Sequence, residues 1–292
     1  MTEHRARRAT AETFSLGEGP LWDAARGVLH WVDITAGAVL SGELDADGAI
    51  RPTARSELGE TVGAVALADD GGLVVAGARR LWSVAAGGGR EPGPVLLPDD
   101  VPARTNDAAV GPDGALLVGT HALDDDARPQ RLLRVSAGVV TVLDDDLLLS
   151  NGIAWSPDGG TLYSIDTLAR TVWARDYDPA TGATGPRRVH LATDGLPDGA
   201  TADAEGGLWV AFWGAGEVRR FAPDGRRTDA VAVPAPNASS VCFAGPDLDT
   251  LVITTAREGL SAAALAAHPA SGALFTVRVG RRGLPEPRYR SA

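Results

Sequence analysis

The chain has 292 residues, of which 44% are hydrophobic, and it carries a formal net charge of −11 at pH 7. Its single cysteine, Cys242, excludes an internal disulfide framework and a thiolate metal cluster. The negative charge argues against a nucleic-acid or anionic-membrane partner, because both would repel such a surface. The basic N-terminus has no apolar core of signal-peptide length, and no stretch approaches the roughly 18 apolar residues of a membrane span. We therefore expect a soluble cytoplasmic protein, and we take a monomer as the default because no pattern indicates the oligomeric state.

Six short apolar runs, each ending in a turn signature, divide the chain into repeats. The runs start 42 to 47 residues apart, at Glu18, Gly63, Asn106, Asn151, Asp198 and Ser240. A period in the forties that is built from short strands is typical of a β-propeller. Equivalent positions of the blades point toward the central axis. We therefore expect Glu18, Asn106, Asn151 and Asp198 to converge there.

Within each repeat, the first run is followed by Asp-Gly or a related turn and then by a second apolar run. Residues 155–166 and 202–213 show this hairpin pattern most clearly. A third run and a weaker fourth run follow in most repeats. The sequence therefore predicts an all-β, six-bladed β-propeller with four short antiparallel strands per blade, and its best helical candidate is 258–269.

The sixth repeat lacks an outer strand of its own. Propellers usually close their ring by adding an N-terminal strand to the last blade, and we expect residues 13–18 to do this. Residues 1–12 are then an N-terminal tail, and residues 13–292 form a single propeller domain.

Three of the convergent residues, Glu18, Asn151 and Asp198, offer only oxygen ligands. Hard cations such as Ca²⁺, Mg²⁺ and Mn²⁺ prefer such ligands, whereas Zn²⁺ ordinarily prefers histidine or cysteine. Asp198 lies in Pro197-Asp198-Gly199, which could be only a turn, but it precedes a strand where the other Pro-Asp-Gly sequences follow one. The alternative is that these polar residues merely line a wet channel.

A divalent cation with a free coordination site polarises a carbonyl or phosphoryl oxygen, and a neighbouring carboxylate can act as general base. No Ser–His–Asp or Cys–His arrangement is evident, and Cys242 lies in an apolar run typical of buried core. His121 follows Gly-Thr at the end of a strand in the third repeat and is a candidate to face the pocket.

Five segments resemble the family of gluconolactonases, regucalcin (senescence marker protein) and luciferin-regenerating enzyme. They are 16–34, 104–120, 150–167, 196–221 and 240–260, and the likeness covers nearly the whole chain. The resemblance implies a six-bladed propeller with one divalent metal, often calcium, near the axis.

By the same resemblance, the metal ligands fall on Glu18, Asn151 and Asp198, and Asp198 is also the general base. The substrate-contacting arginine and asparagine of the family's Arg-x-Asn-Asp motif fall on Arg104 and Asn106. An acidic residue that contacts sugar in some members corresponds to Asp124.

This chain departs from the family at the rim of the pocket. Ala108 and Ala109 follow Asn-Asp, where the family commonly has glycine and often lysine, and His121 replaces a common methionine. The following segment, 122–130, is unusually acidic. The predicted metal site is therefore intact, whereas the substrate-facing rim has changed.

The leading hypothesis is a metal-dependent lactonase that acts on a sugar-derived or similar small lactone, with Ca²⁺ favoured over Zn²⁺, Mn²⁺ or Mg²⁺. A second hypothesis keeps the metal site but hydrolyses phosphotriesters or other esters, or serves a step of secondary metabolism. A third is a non-enzymatic calcium-binding propeller, since fold alone does not decide function.

Overall fold

The computed structural model describes residues 1–124 and 128–291, and it shows a six-bladed β-propeller. Six mostly antiparallel sheets surround a central axis, and the innermost strands of neighbouring sheets contact one another around the ring. The predicted fold class is therefore confirmed.

Each blade has four strands that follow one another outward from the axis. The innermost strands are β3 (Gly17–Asp23), β7 (Val62–Leu67), β11 (Ala103–Val110), β15 (Ser150–Trp155), β19 (Leu196–Ala202) and β23 (Ala238–Ala244). The second strands are β4 (Val28–Asp33), β8 (Leu73–Gly77), β12 (Leu116–Ala122), β16 (Thr161–Asp166), β20 (Leu208–Trp213) and β24 (Thr250–Thr255). The third strands are β5 (Ala38–Leu44), β9 (Arg80–Val84), β13 (Gln130–Ser136), β17 (Thr171–Asp176), β21 (Glu217–Phe221) and β25 (Phe275–Arg278). The outer strands of blades 1 to 5 are β6 (Ile50–Glu57), β10 (Arg90–Val95), β14 (Val139–Leu147), β18 (Arg188–Ala192) and β22 (Arg227–Ala232).

The ring closes through an earlier part of the chain than the sequence predicted. The outer strand of blade 6 is β2 (Arg7–Arg8), which pairs antiparallel with β25, so the prediction that 13–18 closes the ring is wrong. The segment predicted as a tail also holds β1 (Thr2–Arg5), a fifth strand that pairs in parallel with β22 of blade 5. Both strands are largely exposed, and an exposed edge strand needs no alternation of apolar residues that a sequence pattern would reveal.

All six innermost strands contain a β-bulge close to the end at which the strand begins. In β15, for example, Asn151 pairs with Ile165 but Ile153 pairs with Ser164, so the inner strand carries one extra residue. Equivalent register shifts follow Glu18 in β3 and Pro197 in β19. A bulge re-aims the side chains beside it, and here it does so at the positions predicted to converge.

Glycines at two of these bulges allow neighbouring inner strands to approach closely. A Cβ atom on Gly152 would lie 2.5 Å from the carbonyl oxygen of Asp198, and one on Gly199 would lie 2.1 Å from the Oγ of Ser240. Any larger residue would push the strands apart and move the side chains of Asn151 and Asp198.

Apolar side chains fill the spaces between neighbouring blades. Trp209 of blade 5 meets Phe243 of blade 6 edge-to-face, with ring centroids 6.1 Å apart, inside one such cluster. Cys242 is buried in core, as predicted. The helix predicted within 258–269 is confirmed as α1 (Ala262–Ala267), which the side chain of Ser261 caps. In the described part of the chain, no helix has the length and apolar character needed to cross a membrane.

The two ends of the axis differ in how they are covered. We call the end at which the inner strands begin the upper end and the opposite one the lower end. Residues 283–290, here called the C-terminal strap, cross the lower end. Between the strap and the inner strands lies a cavity of about 290 Å³, lined by the second halves of the inner strands and by residues 284–287.

Backbone hydrogen bonds hold the strap to several blades. Gly283 donates to the carbonyl of Leu248 in blade 6, Tyr289 donates to that of Leu67 in blade 2, and Arg290 donates to that of Gly114 in blade 3. The strap therefore links blades that are far apart in the sequence.

Candidate functional site

Glu18, Asn151 and Asp198 lie at equivalent bulges of three inner strands at the upper end of the axis, and all three are buried. Asp198 is part of β19 rather than of a turn. Electrostatics supports the expected proximity of the two carboxyl groups, since the negative charge of Asp198 raises the pKa of Glu18.

Two aspartates hold the chain just before two of these strands. The carboxylate of Asp33 accepts hydrogen bonds from the backbone N–H groups of Ser15 and Leu16, at 2.9 and 3.0 Å. Asp166 does the same in blade 4 for the two residues before β15, 148 and 149, at 3.0 and 3.2 Å. These bonds fix the entry into β3 and β15, and with it the positions of Glu18 and Asn151.

A chain of side-chain hydrogen bonds connects the neighbouring blades at this end. Arg104 Nη1 donates to Asn106 Oδ1 at 2.8 Å, and Asn106 Nδ2 donates to Asn151 Oδ1 at 2.7 Å. Asn151 Nδ2 donates to the hydroxyl of Thr167 at 2.9 Å, which donates to the carbonyl of Pro197 at 2.7 Å. The predicted substrate residues and a predicted metal ligand thus belong to one network.

The carboxyl groups of Glu18 and Asp198 have pKa values that are strongly raised. Burial raises the pKa of Glu18 well above its ordinary value, and the negative charges of Asp198 and Asp107 raise it further. Burial also raises the pKa of Asp198, with Asp107 as the next cause. Two buried carboxyl groups that each resist ionisation create a place where a bound cation would be stabilised.

Arg104 brings positive charge to this acidic site. Burial lowers the pKa of its guanidinium, while Glu258, Glu18 and Asp198 act in the opposite direction. Arg104 in turn lowers the pKa of Asp198. Its charge offsets part of the negative charge, but a single guanidinium is influenced by three carboxylates.

Asp107 is a member of the site that the sequence reasoning missed. Burial raises its pKa to about 6, and its charge raises the pKa values of both Glu18 and Asp198. It also lines the cavity at the lower end. The available signal was its place directly after Asn106, since the bulge between Thr105 and Ala108 brings consecutive residues toward the axis.

His121 and Asp124 lie on the rim at the end of β12. His121 Nδ1 is 3.1 Å from Arg104 Nη2, and because arginine is only a donor, the ring nitrogen must accept. Asp124 lies in the following loop, where its carboxylate accepts two hydrogen bonds from Arg128, at 3.1 and 2.7 Å. His121 is thus placed against a predicted substrate residue, whereas Asp124 is engaged within its own loop. Residues 125–127 of the predicted acidic rim segment lie outside the described residues.

The residues present fit a hard divalent cation. Within residues 1–124 and 128–291, no group of three or more His, Cys, Asp or Glu side chains could hold a metal ion, so a site built on Glu18 and Asp198 would include a donor of another type. Asn151 is the residue that would supply such a donor, and its Oδ1 faces Asn106, from which it accepts a hydrogen bond. Two carboxylates and one amide are ligands typical of Ca²⁺ rather than of a histidine- or cysteine-rich zinc site.

Comparison with known proteins finds relatives that match almost the whole chain. Residues 16–257 match the family model described as SMP-30/Gluconolactonase/LRE-like region. A regucalcin of Xenopus laevis is 32% identical over 97% of this chain and 98% of its own length. A 6-deoxy-6-sulfogluconolactonase of Pseudomonas putida is 35% identical over 94% of each chain.

Solved structures agree with the sequence comparison. A calcium-binding protein, regucalcin, from Agrobacterium tumefaciens superposes with a TM-score of 0.93 at 32% identity, over 99% of this chain and 98% of that one. The chain therefore belongs to the SMP-30/gluconolactonase/LRE-like family.

Proposed function

We propose that this protein is a divalent-metal-dependent hydrolase that opens a sugar-derived or similar small lactone. The observation that carries the proposal is that Glu18, Asn151 and Asp198 occupy equivalent bulges at one end of the axis, where Asn106 is hydrogen-bonded to both Arg104 and Asn151. The lactonases among the relatives, which are similar over nearly their whole length, support the reaction class.

Glu18, Asn151 and Asp198 are the residues that would hold the cation. Ca²⁺ is the first candidate, because all three offer oxygen and because a structural relative is described as calcium-binding; Zn²⁺, Mn²⁺ and Mg²⁺ remain to be compared. When bound, such a cation supplies Lewis acidity that polarises the ring carbonyl and neutralises the buried carboxylates.

Asp198 acts as general base in this proposal. Its carboxylate takes a proton from water as the water oxygen attacks the carbonyl carbon of the lactone. The bond from that carbon to the ring oxygen then breaks, and the proton passes to the ring oxygen to give a hydroxy acid. Arg104 favours the ionised form of Asp198 that this role requires, because its positive charge lowers the pKa of that carboxyl.

Arg104 and Asn106 hold the substrate. The guanidinium is fixed by Asn106 and by His121, so a donor group is held rigidly in the pocket at little entropic cost on binding. Hydroxyl and carbonyl oxygens of a polar lactone are suitable acceptors for it. Ala108 and Ala109 do not lie on this rim, contrary to the sequence-based expectation, because they line the cavity at the lower end. Among the altered residues, His121 beside Arg104 is where we expect selectivity among lactones to differ from that of relatives.

The test is to measure proton release from a panel of aldono-1,4- and 1,5-lactones in the presence of Ca²⁺, Mn²⁺, Mg²⁺, Zn²⁺ or EDTA. We expect hydrolysis that EDTA stops and that one of the cations restores. Aryl esters and phosphotriesters in the same panel test the alternative hydrolase, which would be favoured if they exceeded every lactone. Tight cation binding with no hydrolysis of any substrate would instead favour a calcium-binding propeller.

A further inference from the structure

Thr167 lies just after β16, and its side chain is almost fully buried. Its hydroxyl bridges two blades, since it accepts from Asn151 Nδ2 in blade 4 at 2.9 Å and donates to the carbonyl of Pro197 in blade 5 at 2.7 Å. Pro197 directly precedes Asp198. One hydroxyl therefore connects a predicted metal ligand with the residue beside another.

The direction of these bonds is fixed by chemistry. A carbonyl oxygen can only accept, so the single hydroxyl hydrogen of Thr167 is used by Pro197. The Thr167 oxygen can then only accept from Asn151, which requires the NH₂ group of the Asn151 amide to face Thr167. The amide oxygen of Asn151 must therefore point the other way.

The other end of the network imposes the same orientation independently. Arg104 is only a donor, so the oxygen of the Asn106 amide faces Arg104 and its NH₂ group faces Asn151. That NH₂ group needs an acceptor, and the Asn151 oxygen provides it. Every bond from Arg104 to Pro197 thus runs in one direction, and bonds aligned in this way strengthen one another.

We propose that Thr167 is a positioning residue that holds the Asn151 amide with its oxygen facing the site, ready to ligate the cation. The inference rests on the proposed metal site. An asparagine amide turned by half a rotation would present an NH₂ group to the cation and would place its oxygen against a hydroxyl that has no hydrogen left to donate. Without Thr167, the terminal torsion of Asn151, which is intrinsically broad, loses that constraint.

The experiment is a calorimetric titration of Ca²⁺ and Mn²⁺ into the full-length wild type, Thr167→Val and Thr167→Ser. Valine keeps the shape of threonine but has no hydroxyl, whereas serine keeps the hydroxyl. We expect Thr167→Val to weaken cation affinity by about 10- to 100-fold, the range found for groups that orient metal ligands, and Thr167→Ser to change it by less than about threefold. Equal affinities of the valine and wild-type proteins would overturn the proposal.

A second pair of variants separates orientation from a general structural effect. In Asn151→Asp, both terminal atoms are oxygens, so the direction of the group no longer matters. We expect Thr167→Val to cost less than about threefold in affinity when it is added to Asn151→Asp. The same loss in both backgrounds would show that Thr167 only supports the fold, and would overturn the proposal.

A measurement without metal distinguishes a failure of this inference from a failure of the proposed function. The side-chain NH₂ signal of Asn151, assigned by its absence in Asn151→Asp, should exchange slowly with water in the wild type and in Thr167→Ser. It should exchange at least about tenfold faster in Thr167→Val, because the acceptor is gone. Unchanged exchange would overturn the inference, whereas a wild type that binds no cation would overturn the proposed metal site instead.

Discussion

The two ends of the propeller axis are built from the same six inner strands, yet they are organised differently. At the upper end, the bulges gather ionisable and amide side chains, including Glu18, Asn151 and Asp198, into a buried polar network. At the lower end, proline, alanine and leucine side chains dominate the cavity wall, and the C-terminal strap covers it. The upper end thus contains charge that is only partly compensated, whereas at the lower end backbone hydrogen bonds of the strap connect blades 2, 3 and 6.

This division separates the proposed chemistry from the links that the strap makes between blades. Changes at the upper end should alter cation binding and hydrolysis while the blades remain assembled. Changes at the strap should loosen the assembly while the site itself keeps its residues. Asp107 lies between the two, since it lines the lower cavity and still raises the pKa of Glu18 and Asp198.

The largest effect is expected at the upper end, from Asp198→Asn. The amide cannot take a proton from water, so we expect kcat to fall by about 10²- to 10⁴-fold. The melting temperature should not fall, because the change removes a buried carboxyl group whose negative charge raises the pKa of Glu18. Steady-state lactone hydrolysis and a thermal melt measure both quantities.

Asp158→Asn is the matched control for that variant. Asp158 also lies in a Pro-Asp-Gly sequence, but in the turn between β15 and β16 at the lower end. We expect its kcat to match the wild type within about twofold. An Asp198→Asn enzyme that keeps more than about a tenth of the wild-type kcat would remove Asp198 from the role of base.

The next largest effect is expected at the strap, from Tyr289→Ala. The Tyr289 side chain is buried in the cluster between blades 2 and 3, beside residues such as Ala66, Val110 and Leu116. Truncating a buried aromatic residue costs about 3–5 kcal/mol in the free energy of unfolding, which corresponds to a fall of roughly 6–10 °C in melting temperature for a chain of this size. The kcat of the folded protein should stay within about twofold of the wild type.

Val189→Ala provides the comparison for the strap variant, because Val189 is largely exposed on the outer strand of blade 4. Its melting temperature should change by about 1 °C or less. A Tyr289→Ala protein that melts like the wild type, or one that loses hydrolysis well below its melting temperature, would contradict the proposed separation of the two ends.

A smaller, pH-dependent effect is expected from Glu286→Gln, also in the strap. Burial raises the pKa of Glu286 from its ordinary 4.5 to about 7 in the folded protein. The folded state therefore holds this proton more tightly than the unfolded chain does, so its contribution to stability is complete below pH 4.5 and is lost as the pH rises through 7. Glutamine cannot ionise, and it removes this loss.

Urea unfolding between pH 4.5 and 8.5 measures the difference. Above pH 7 we expect the variant to exceed the wild type by about 1–2 kcal/mol, less than the full linkage value because the Glu286 side chain remains partly exposed. At the acidic end of the range, the two proteins should be nearly equal in stability. Curves that stay parallel over the whole range would show that Glu286 does not titrate beneath the strap.

The sequence was sufficient to predict the six blades and the equivalent positions of Glu18, Asn151 and Asp198 on the inner strands, because the repeat period and the Asp-Gly turns are local patterns. It was insufficient to predict the bulges, because a bulge depends on how the residues around Asn151 or Asp198 pair with the neighbouring strand. Ring closure by Arg7–Arg8 was missed because an exposed edge strand carries no apolar alternation. Thr167 was missed for a different reason, since Asp166-Thr167 has the composition of an ordinary turn and its partner at Pro197 lies 30 residues away.

The smallest effect is expected on the rim of the upper end, from His121→Met. Methionine is close to histidine in size, but its thioether is a weak acceptor, so Arg104 would lose the partner at 3.1 Å that holds its Nη2 atom. Asn106 still holds the other nitrogen, Nη1. A less constrained guanidinium must be ordered when substrate binds, so we expect KM to rise by about 5- to 10-fold while kcat changes by less than about threefold. His121→Gln restores an oxygen acceptor and should recover most of the lost affinity. A fall in kcat with unchanged KM would instead place His121 at the reacting atoms, and the upper end would then contain a second catalytic residue in addition to Asp198.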